Sequence, residues 1–274
     1  MVTHEPLVGI VGLGAIGSAV AGHVLASGRT MIGWARRPTS LEAFAARGGR
    51  VAGSLAELGV AEVVISVVFD DEAVRDVAFG TAGLIEAMAP GAIHVAMETM
   101  SPRLARALYE AHAARCQRFL AAPVFGRPEA AARGELAIMC SGPEETFRAV
   151  DAILSAAGET RWIGPAPEQA MLVKLVGNHM ILTIGELLAE VFAFLRAGGI
   201  GAHDAKSALM DELMPRVFAG YVRRLTDEPN APRPAGSTIG RKDNALAIEA
   251  AHALGVELAL ARCVAHMNDP ACQF

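Results

Sequence analysis

Lys174 and Asn178 stand four residues apart in a stretch that is otherwise apolar, with Met171, Leu172, Val173, Leu175 and Val176 as neighbours. At helical spacing the two share one face. A lysine in such surroundings costs free energy unless something pairs with it. Burial also lowers an ammonium pKa towards the range where the group donates a proton near neutral pH, which is what a general acid requires. The plain alternative is a lysine whose stem runs along apolar surface while its charge stays in water at a domain junction. The residues alone leave those two readings level.

A second constellation lies far upstream. Leu7 to Val11 is a short apolar run that leads into Gly12, Leu13, Gly14, Ala15, Ile16 and Gly17, followed by a small-residue helical pattern that stops at Ser27-Gly28. Strand, glycine turn and helix in that order make a dinucleotide-binding fingerprint. Gly12 permits the tight turn, Gly14 lets the backbone approach a pyrophosphate, and Gly17 lets the helix pack on the sheet. The free N–H groups at the helix start attract the phosphate charge. The next strand-like run ends on Arg36 and Arg37, and no Asp or Glu lies between Gly17 and Glu42. A carboxylate for the ribose 2′-hydroxyl of NAD is therefore missing, whereas two guanidinium groups match the oxygens of a 2′-phosphate. The expected cofactor is NADP(H) rather than NAD, with a solvated basic turn as the plainer account of the two arginines.

Elements of alternating type must hold these residues. Residues 30–34 read as a second strand, Thr39-Ser40 as the cap of a short helix through Arg47, and residues 63–68 as a strand buried on both faces. Val68, at the carboxyl end of that run, is a cofactor-contact candidate, and Phe69-Asp70-Asp71 begins a ligand-facing loop. Residues 93–97 form the next strand, after which Ser101 caps a helix with Pro102 at its first position. A further strand follows at 119–122. Residues 121–164 predict antiparallel additions to the sheet, with a helix that starts near Gly142 and ends at Gly158. The expected fold is an α/β Rossmann domain, doubly wound on a mainly parallel sheet, over residues 1–164, then an all-α domain over 165–274. A long interdomain helix over residues 168–196, about 43 Å at 1.5 Å per residue, joins them. It is apolar nearly all round, which predicts burial. The segment to Arg224 is again helical, residues 226–241 form a Pro/Gly-rich loop, and residues 242–267 a final helix pair around Gly255.

With 53% hydrophobic and 19% charged residues the chain is core-rich, and its net charge of −5 argues against a nucleic-acid binder. Residues 7–26 are long enough to span a bilayer, but their glycines and His23 fit a strand and turn better, so no membrane partner is expected. The six residues before Leu7 are too short for a secretory signal. Cys116, Cys140, Cys263 and Cys272 are scattered without metal-ligand spacing, so the reading is a cytoplasmic protein with reduced thiols and no metal.

Four blocks together resemble the β-hydroxyacid dehydrogenase family, relatives of 3-hydroxyisobutyrate and 6-phosphogluconate dehydrogenases. They are the glycine turn at 12–17; Ala122-Pro123-Val124-Phe125-Gly126 in place of a GPVSGG-like stretch; Lys174-Leu175-Val176-Gly177-Asn178, a KxxxN helix; and Lys242-Asp243-Asn244-Ala245-Leu246-Ala247, a KDxxLA block. The resemblance implies a homodimer through the helical domain, Lys174 as catalytic acid/base and Asn178 as its or the substrate's orienting partner. It further implies that Thr99 touches the nicotinamide ribose and that Lys242 approaches the cofactor or a substrate carboxylate. The implied reaction is hydride transfer between the nicotinamide and a small carbonyl or β-hydroxy acid. Phe125, Gly126 and Arg127 replace the family's small SGG substrate loop, so Phe125 narrows the pocket and Arg127 either binds an anion or sits in solvent. The lead-in Glu98-Thr99-Met100 also lacks the usual serine. Imine reductases, which share the architecture and have altered pocket loops, are the runner-up, although they commonly carry Asp or Tyr where this chain has Lys174. A non-catalytic NADPH sensor or scaffold needs neither Lys174 nor Asn178.

Overall fold

The computed structural model describes residues 5–227 and 237–268. The chain divides into two compact units, Met1–Asn178 and His179–Phe274.

The first unit is built on one sheet. Its strands are β1 (Val8–Val11), β2 (Met31–Trp34), β3 (Arg50–Val51), β4 (Val63–Ser66), β5 (Ile93–Ala96), β6 (Arg118–Ala121), β7 (Val124–Phe125), β8 (Leu136–Ser141) and β9 (Gly158–Gly164). They lie in the order β3-β2-β1-β4-β5-β6-β8-β7, with β9 added on β8. The first six strands are mutually parallel. Every residue of β1, β4 and β5 is buried, because helices cover both faces of a parallel sheet and leave no solvent side for polar alternation. One apolar cluster packs Val8, Ile10, Val20 and Val24 beneath the first helix, Ala15–Ala26. A second gathers Val11, Ile32, Val64 and Leu84, and a third Val74, Ala96, Leu108, Phe119 and Met171. The candidate membrane stretch at 7–26 is therefore β1, a turn and a helix; among the described residues no helix is long and apolar enough to cross a membrane.

Several local expectations change. The short second helix spans Pro38–Ala45, with Pro38 rather than Thr39-Ser40 at its start and no side-chain cap. Pro fixes φ at the first helical position and lacks the N–H that a cap would satisfy. Helix Glu144–Leu154 ends four residues before Gly158, which instead opens β9. That strand pairs parallel to β8, so the additions beyond β6 are antiparallel only at the β6–β8 and β7–β8 contacts. Ser101 does cap the helix Pro102–Ala114, its hydroxyl accepting from Leu104 N at 3.3 Å.

The long helix spans Glu168–Ala197, and its residues past Asn178 belong to the second unit. Its apolar faces are largely open in the single chain: Leu182 is 69% and Ile181 60% exposed, against the expectation of burial. The second unit continues with helix Ala202–Ala205, a π-helical stretch Lys206–Leu213, and helices Met214–Asp227, Thr238–Ala253 and Ala259–Met267. Asn244 Nδ2 donates to Ala261 O at 2.8 Å, and Leu260 N donates to Glu190 Oε1 at 2.7 Å, tying the last helix into that unit. The expected loop over 226–241 is shorter at both ends, since Asp227 closes one helix and Thr238 opens another. Its remaining part and Cys272 lie outside the described residues.

Candidate active site

Parallel neighbours put the carboxyl ends of β1, β4, β5 and β6 on one edge of the sheet. Backbone hydrogen bonds carry that edge outward, from Val67 N to Val11 O, Met97 N to Ser66 O and Ala122 N to Ala96 O. Three strand spacings, about 14 Å, separate β1 from β6 along it.

At the β1–β4 end lies a cleft of about 580 Å³, lined by the whole turn Gly12–Gly17 together with Trp34, Arg36, Arg37, Ser40, Val68, Phe69 and Asp76. The three glycines differ in the reason for their lack of a side chain. Gly12 has φ +94°, and a Cβ there would meet Val67 O at 2.1 Å. A Cβ on Gly17 would meet Gly12 O at 1.9 Å, whereas one on Gly14 would meet no protein atom within 4 Å. Two glycines thus serve the fold, and the third keeps open space over the helix start. The helix Ala15–Ala26 has no side-chain cap, so its first N–H groups face that space as an anion site. A dinucleotide pyrophosphate fits this cradle. Arg36 and Arg37 are exposed and, among the described residues, have no carboxylate partner. Asp76 and Ser40 line the cleft without having been expected there: Asp76 is a carboxylate, and Ser40, read from the sequence only as part of a helix cap, a hydroxyl near the arginines in sequence.

Thr99, Phe125, Gly126, Arg127, Lys174, Asn178 and Lys242 do not line this cleft. Thr99 is half-buried just past β5. A separate group forms beyond β6. Lys174 is 9% exposed, and its Nζ lies 4.2 Å from the centroid of the Phe125 ring. A Cβ on Gly177 would lie 2.4 Å from Phe125 Cζ, so the ring occupies the notch that this glycine leaves on the helix. Among the described residues no carboxylate pairs with Lys174, and burial lowers its pKa. Asn178 is half-buried one turn on. The start of the long helix is fixed by Ser141 on β8, whose Oγ donates to Pro167 O and accepts from Ala170 N, both at 2.9 Å. Arg106 pairs with Glu168 there as well. Gly126 takes φ +141° and Arg127 is solvent-exposed at the start of helix Pro128–Ala132. In the second unit Lys242 is exposed and pairs with Asp243 at 3.0 Å.

A buried polar chain runs inward from the same edge, from Glu98 past the end of β5 to Gln117 just before β6. Glu98, Ser66, His94, His112 and Gln117 are each at most 6% exposed. Ser66 Oγ lies 2.9 Å from Glu98 Oε1 and 2.8 Å from His94 Nε2. His94 Nδ1 lies 2.9 Å from His112 Nε2, and His112 Nδ1 2.7 Å from Gln117 Oε1. Val68 N, in the cleft lining, donates to Glu98 Oε2 at 3.4 Å. Burial raises the Glu98 carboxyl to about 7. It lowers His94 well below its ordinary value, helped by His112, and His112 to about 4. His94 inside an apolar strand two residues from Ala96 was the available signal, since a buried imidazole needs partners. Nearby, Asp71 accepts from both Ser101 N and Ser101 Oγ, at 2.8 and 2.6 Å, and so clasps the loops after β4 and β5 together.

Residues 7–164 match the family of the NAD binding domain of 6-phosphogluconate dehydrogenase. The uncharacterized oxidoreductase YfjR of Bacillus subtilis (strain 168) is 30% identical over 257 residues, 93% of this chain and 90% of that protein. The L-threonate dehydrogenase of Cupriavidus necator is 36% identical over 194 residues, 70% of this chain and 65% of that one. Among solved structures, an imine reductase from Myxococcus stipitatus (V8 variant, in complex with NAD+) superposes with a TM-score of 0.85. It covers 98% of this chain and 94% of that one at 18% identity, a likeness of fold.

Proposed function

The chain belongs to the β-hydroxyacid dehydrogenase family, and we propose that it is an NADP(H)-dependent oxidoreductase acting on a small carbonyl or β-hydroxy acid, with Lys174 as general acid/base. The observation that carries this reading is Lys174 itself, buried, without a carboxylate partner among the described residues, and held under Phe125. When bound, the nicotinamide supplies or accepts hydride. The turn at Gly12–Gly17 holds the pyrophosphate, Arg36 and Arg37 hold the 2′-phosphate, and Val68 and Thr99 receive the nicotinamide half along the sheet edge. In reduction Lys174 gives its proton to the substrate oxygen; in oxidation it takes the hydroxyl proton. Asn178, one turn away on the same helix, orients the substrate or the lysine. Phe125 and Gly126 shape the substrate pocket, Arg127 attracts an anionic substrate, and Lys242 serves the cofactor or a substrate carboxylate. The open apolar faces of the long helix support a homodimer, and the family and its spread thiols support a cytoplasmic setting.

An apolar wall at Phe125 favours a second reading, reduction of a cyclic imine. Cofactor consumption across aldehydes, keto acids, β-hydroxy acids and cyclic imines separates the two. Removing a general acid typically costs about 10²–10⁴ in rate, so Lys174→Ala is expected to slow turnover of the oxygen substrates by about that factor while leaving NADPH binding intact. Unchanged turnover in that variant would remove Lys174 from the reaction. Tight NADPH binding with no turnover of any substrate would leave a sensor.

A further inference from the structure

The buried chain from Gln117 to Glu98 has a fixed polarity. Gln117 Nε2 donates to Met88 O at 2.5 Å and Ile85 O at 3.2 Å, so its oxygen must face His112. His112 Nδ1 therefore carries the hydrogen given to Gln117 Oε1, and its Nε2 is the acceptor for His94 Nδ1–H. That leaves His94 Nε2 as an acceptor, which Ser66 satisfies with its single hydroxyl hydrogen. Ser66 then has no hydrogen left for Glu98 Oε1 at 2.9 Å, and the contact is made only if Glu98 is the donor. An ionised Glu98 would face a serine lone pair or draw the hydroxyl hydrogen away from His94; either costs one buried hydrogen bond.

Escape through a protonated imidazole is closed by the surroundings. Besides Glu98, the ionisable members of the chain are His94 on β5 and His112 on helix Pro102–Ala114, each buried and pressed towards neutrality. β4 contributes Ser66. Helix Asp71–Phe79 brings Val74 and Ala78 to this side, and the long helix brings Met171, all apolar. Phe119 on β6 stacks on His112 and meets His94 edge-on. With its other oxygen Glu98 accepts from Val68 N in the cleft lining, and in sequence it precedes Thr99.

We propose that Glu98 is held as a neutral carboxylic acid under the floor of the cofactor cleft, and that it acts as a positioning residue whose proton is released to solvent when the bound dinucleotide carries an oxidised, cationic nicotinamide. The second half of this rests on the dinucleotide reading above. A carboxylate near a cationic ring is favoured and one near a neutral ring is not, so the oxidised cofactor lowers the carboxyl pKa and reciprocally binds more tightly as pH rises. Burial, which already brings Glu98 to about 7, puts this exchange in the physiological range.

The test has two readouts. The protonated-carboxyl infrared band of the unliganded protein, assigned by its loss in Glu98→Gln, is followed from pH 5 to 9. The dissociation constants of NADP+ and NADPH are measured over the same range in both proteins. Their ratio cancels titration of the 2′-phosphate, which both forms carry. In the wild type the band persists to near neutrality, and the ratio shifts towards NADP+ as pH rises, by about tenfold for each pKa unit that the oxidised cofactor displaces. Glu98→Gln reproduces the donor to Ser66 and the acceptor for Val68 N, so it shows the low-pH ratio at every pH. A merely structural glutamate gives no such slope. Should the variant fail to fold, the wild-type infrared difference between NADP+ and NADPH complexes still shows loss of the band. A carboxyl already ionised at pH 5, or equal slopes in both proteins, would overturn the proposal. Binding of neither dinucleotide, with the band present to near neutrality, would overturn the cofactor reading and the coupling while the neutral acid stands.

Discussion

Gly177→Ala is the sharpest probe of how Lys174 is held. Taken alone, replacing glycine by alanine inside a helix stabilises by about 1 kcal/mol. Here the new methyl would lie 2.4 Å from Phe125 Cζ and 2.7 Å from Cε1, about 1 Å inside the roughly 3.5–4.0 Å of carbon contact. The ring must swing out of its notch, at an overpacking cost of about 1–3 kcal/mol. Displacement from its place 4.2 Å from Lys174 Nζ forfeits a further ~0.5–2 kcal/mol of cation–π attraction. The collision outweighs the propensity, and the expected net effect is a loss of about 0.5–4 kcal/mol. In a Phe125→Ala background the notch is empty, and the same substitution becomes stabilising by about 1 kcal/mol. Denaturant unfolding of the four proteins of this cycle, followed by tryptophan fluorescence from Trp34 and Trp162, measures the coupling. If Gly177→Ala stabilises the wild-type background, or has the same sign and size in both, Phe125 does not occupy the notch and its hold on the lysine falls with it.

Three further outcomes follow from the site. Gly12→Ala is expected to destabilise the fold, because its Cβ would meet Val67 O at 2.1 Å at φ +94°, while Gly14→Ala folds normally and loses dinucleotide affinity; thermal melts and cofactor titration separate them. Replacing Arg36 and Arg37 with alanine should weaken NADPH binding by about 1.5–3 kcal/mol for each charge-assisted hydrogen bond removed and leave NADH binding unchanged. Equal losses for both cofactors would remove the arginines from the 2′-phosphate. Glu98 also sets a pH dependence of stability. Its folded pKa of about 7 exceeds the ordinary carboxyl value of 4.5, so the stabilisation is present below about pH 4.5 and lost as pH rises to 7, amounting to about 3 kcal/mol. His112, lowered to about 4, works in the opposite direction below 6.5. The difference in unfolding free energy between Glu98→Gln and wild type, with its sign, should therefore grow in the variant's favour across pH 4.5–7.

The parts of this protein legible in its sequence are those where one residue type answers one local demand. A positive-φ turn admits Gly12, the Ser101-Pro102 pair announces a helix start, and a continuous apolar run such as Val63 to Ile65 fits only a strand covered on both faces. Lys174 was legible for the same reason, as a charge in apolar company. What the sequence hid depends on partners distant along the chain. Gly158 reads as a helix stop, yet its close approach to the Leu136 backbone, where a Cβ would meet the carbonyl oxygen at 2.0 Å, makes it the first residue of a strand. The long helix is apolar nearly all round, but burial is a property of what covers a surface, and one copy of the chain leaves Ile181 and Leu182 open.

The chain from Gln117 to Glu98 sets the limit of that kind of legibility. Its five members come from β4, β5, the second residue past β5, a helix and the turn before β6, so no short window of sequence contains them together. Each alone breaks the apolar rule of a buried element and looks like an isolated cost. Joined, each imidazole has both nitrogens in use, and the buried amide has its oxygen and nitrogen committed, as such groups require. The consequence lies at the end of the chain. With the hydrogen positions of the other members forced by one amide, Glu98 keeps its contact with Ser66 only as an acid, and ionising it costs a buried hydrogen bond. Its carbonyl oxygen is aimed at a backbone N–H of the cofactor cleft. The same carboxyl that donates to Ser66 as an acid also accepts at the cleft, so loss of its proton would be felt at both ends of that link.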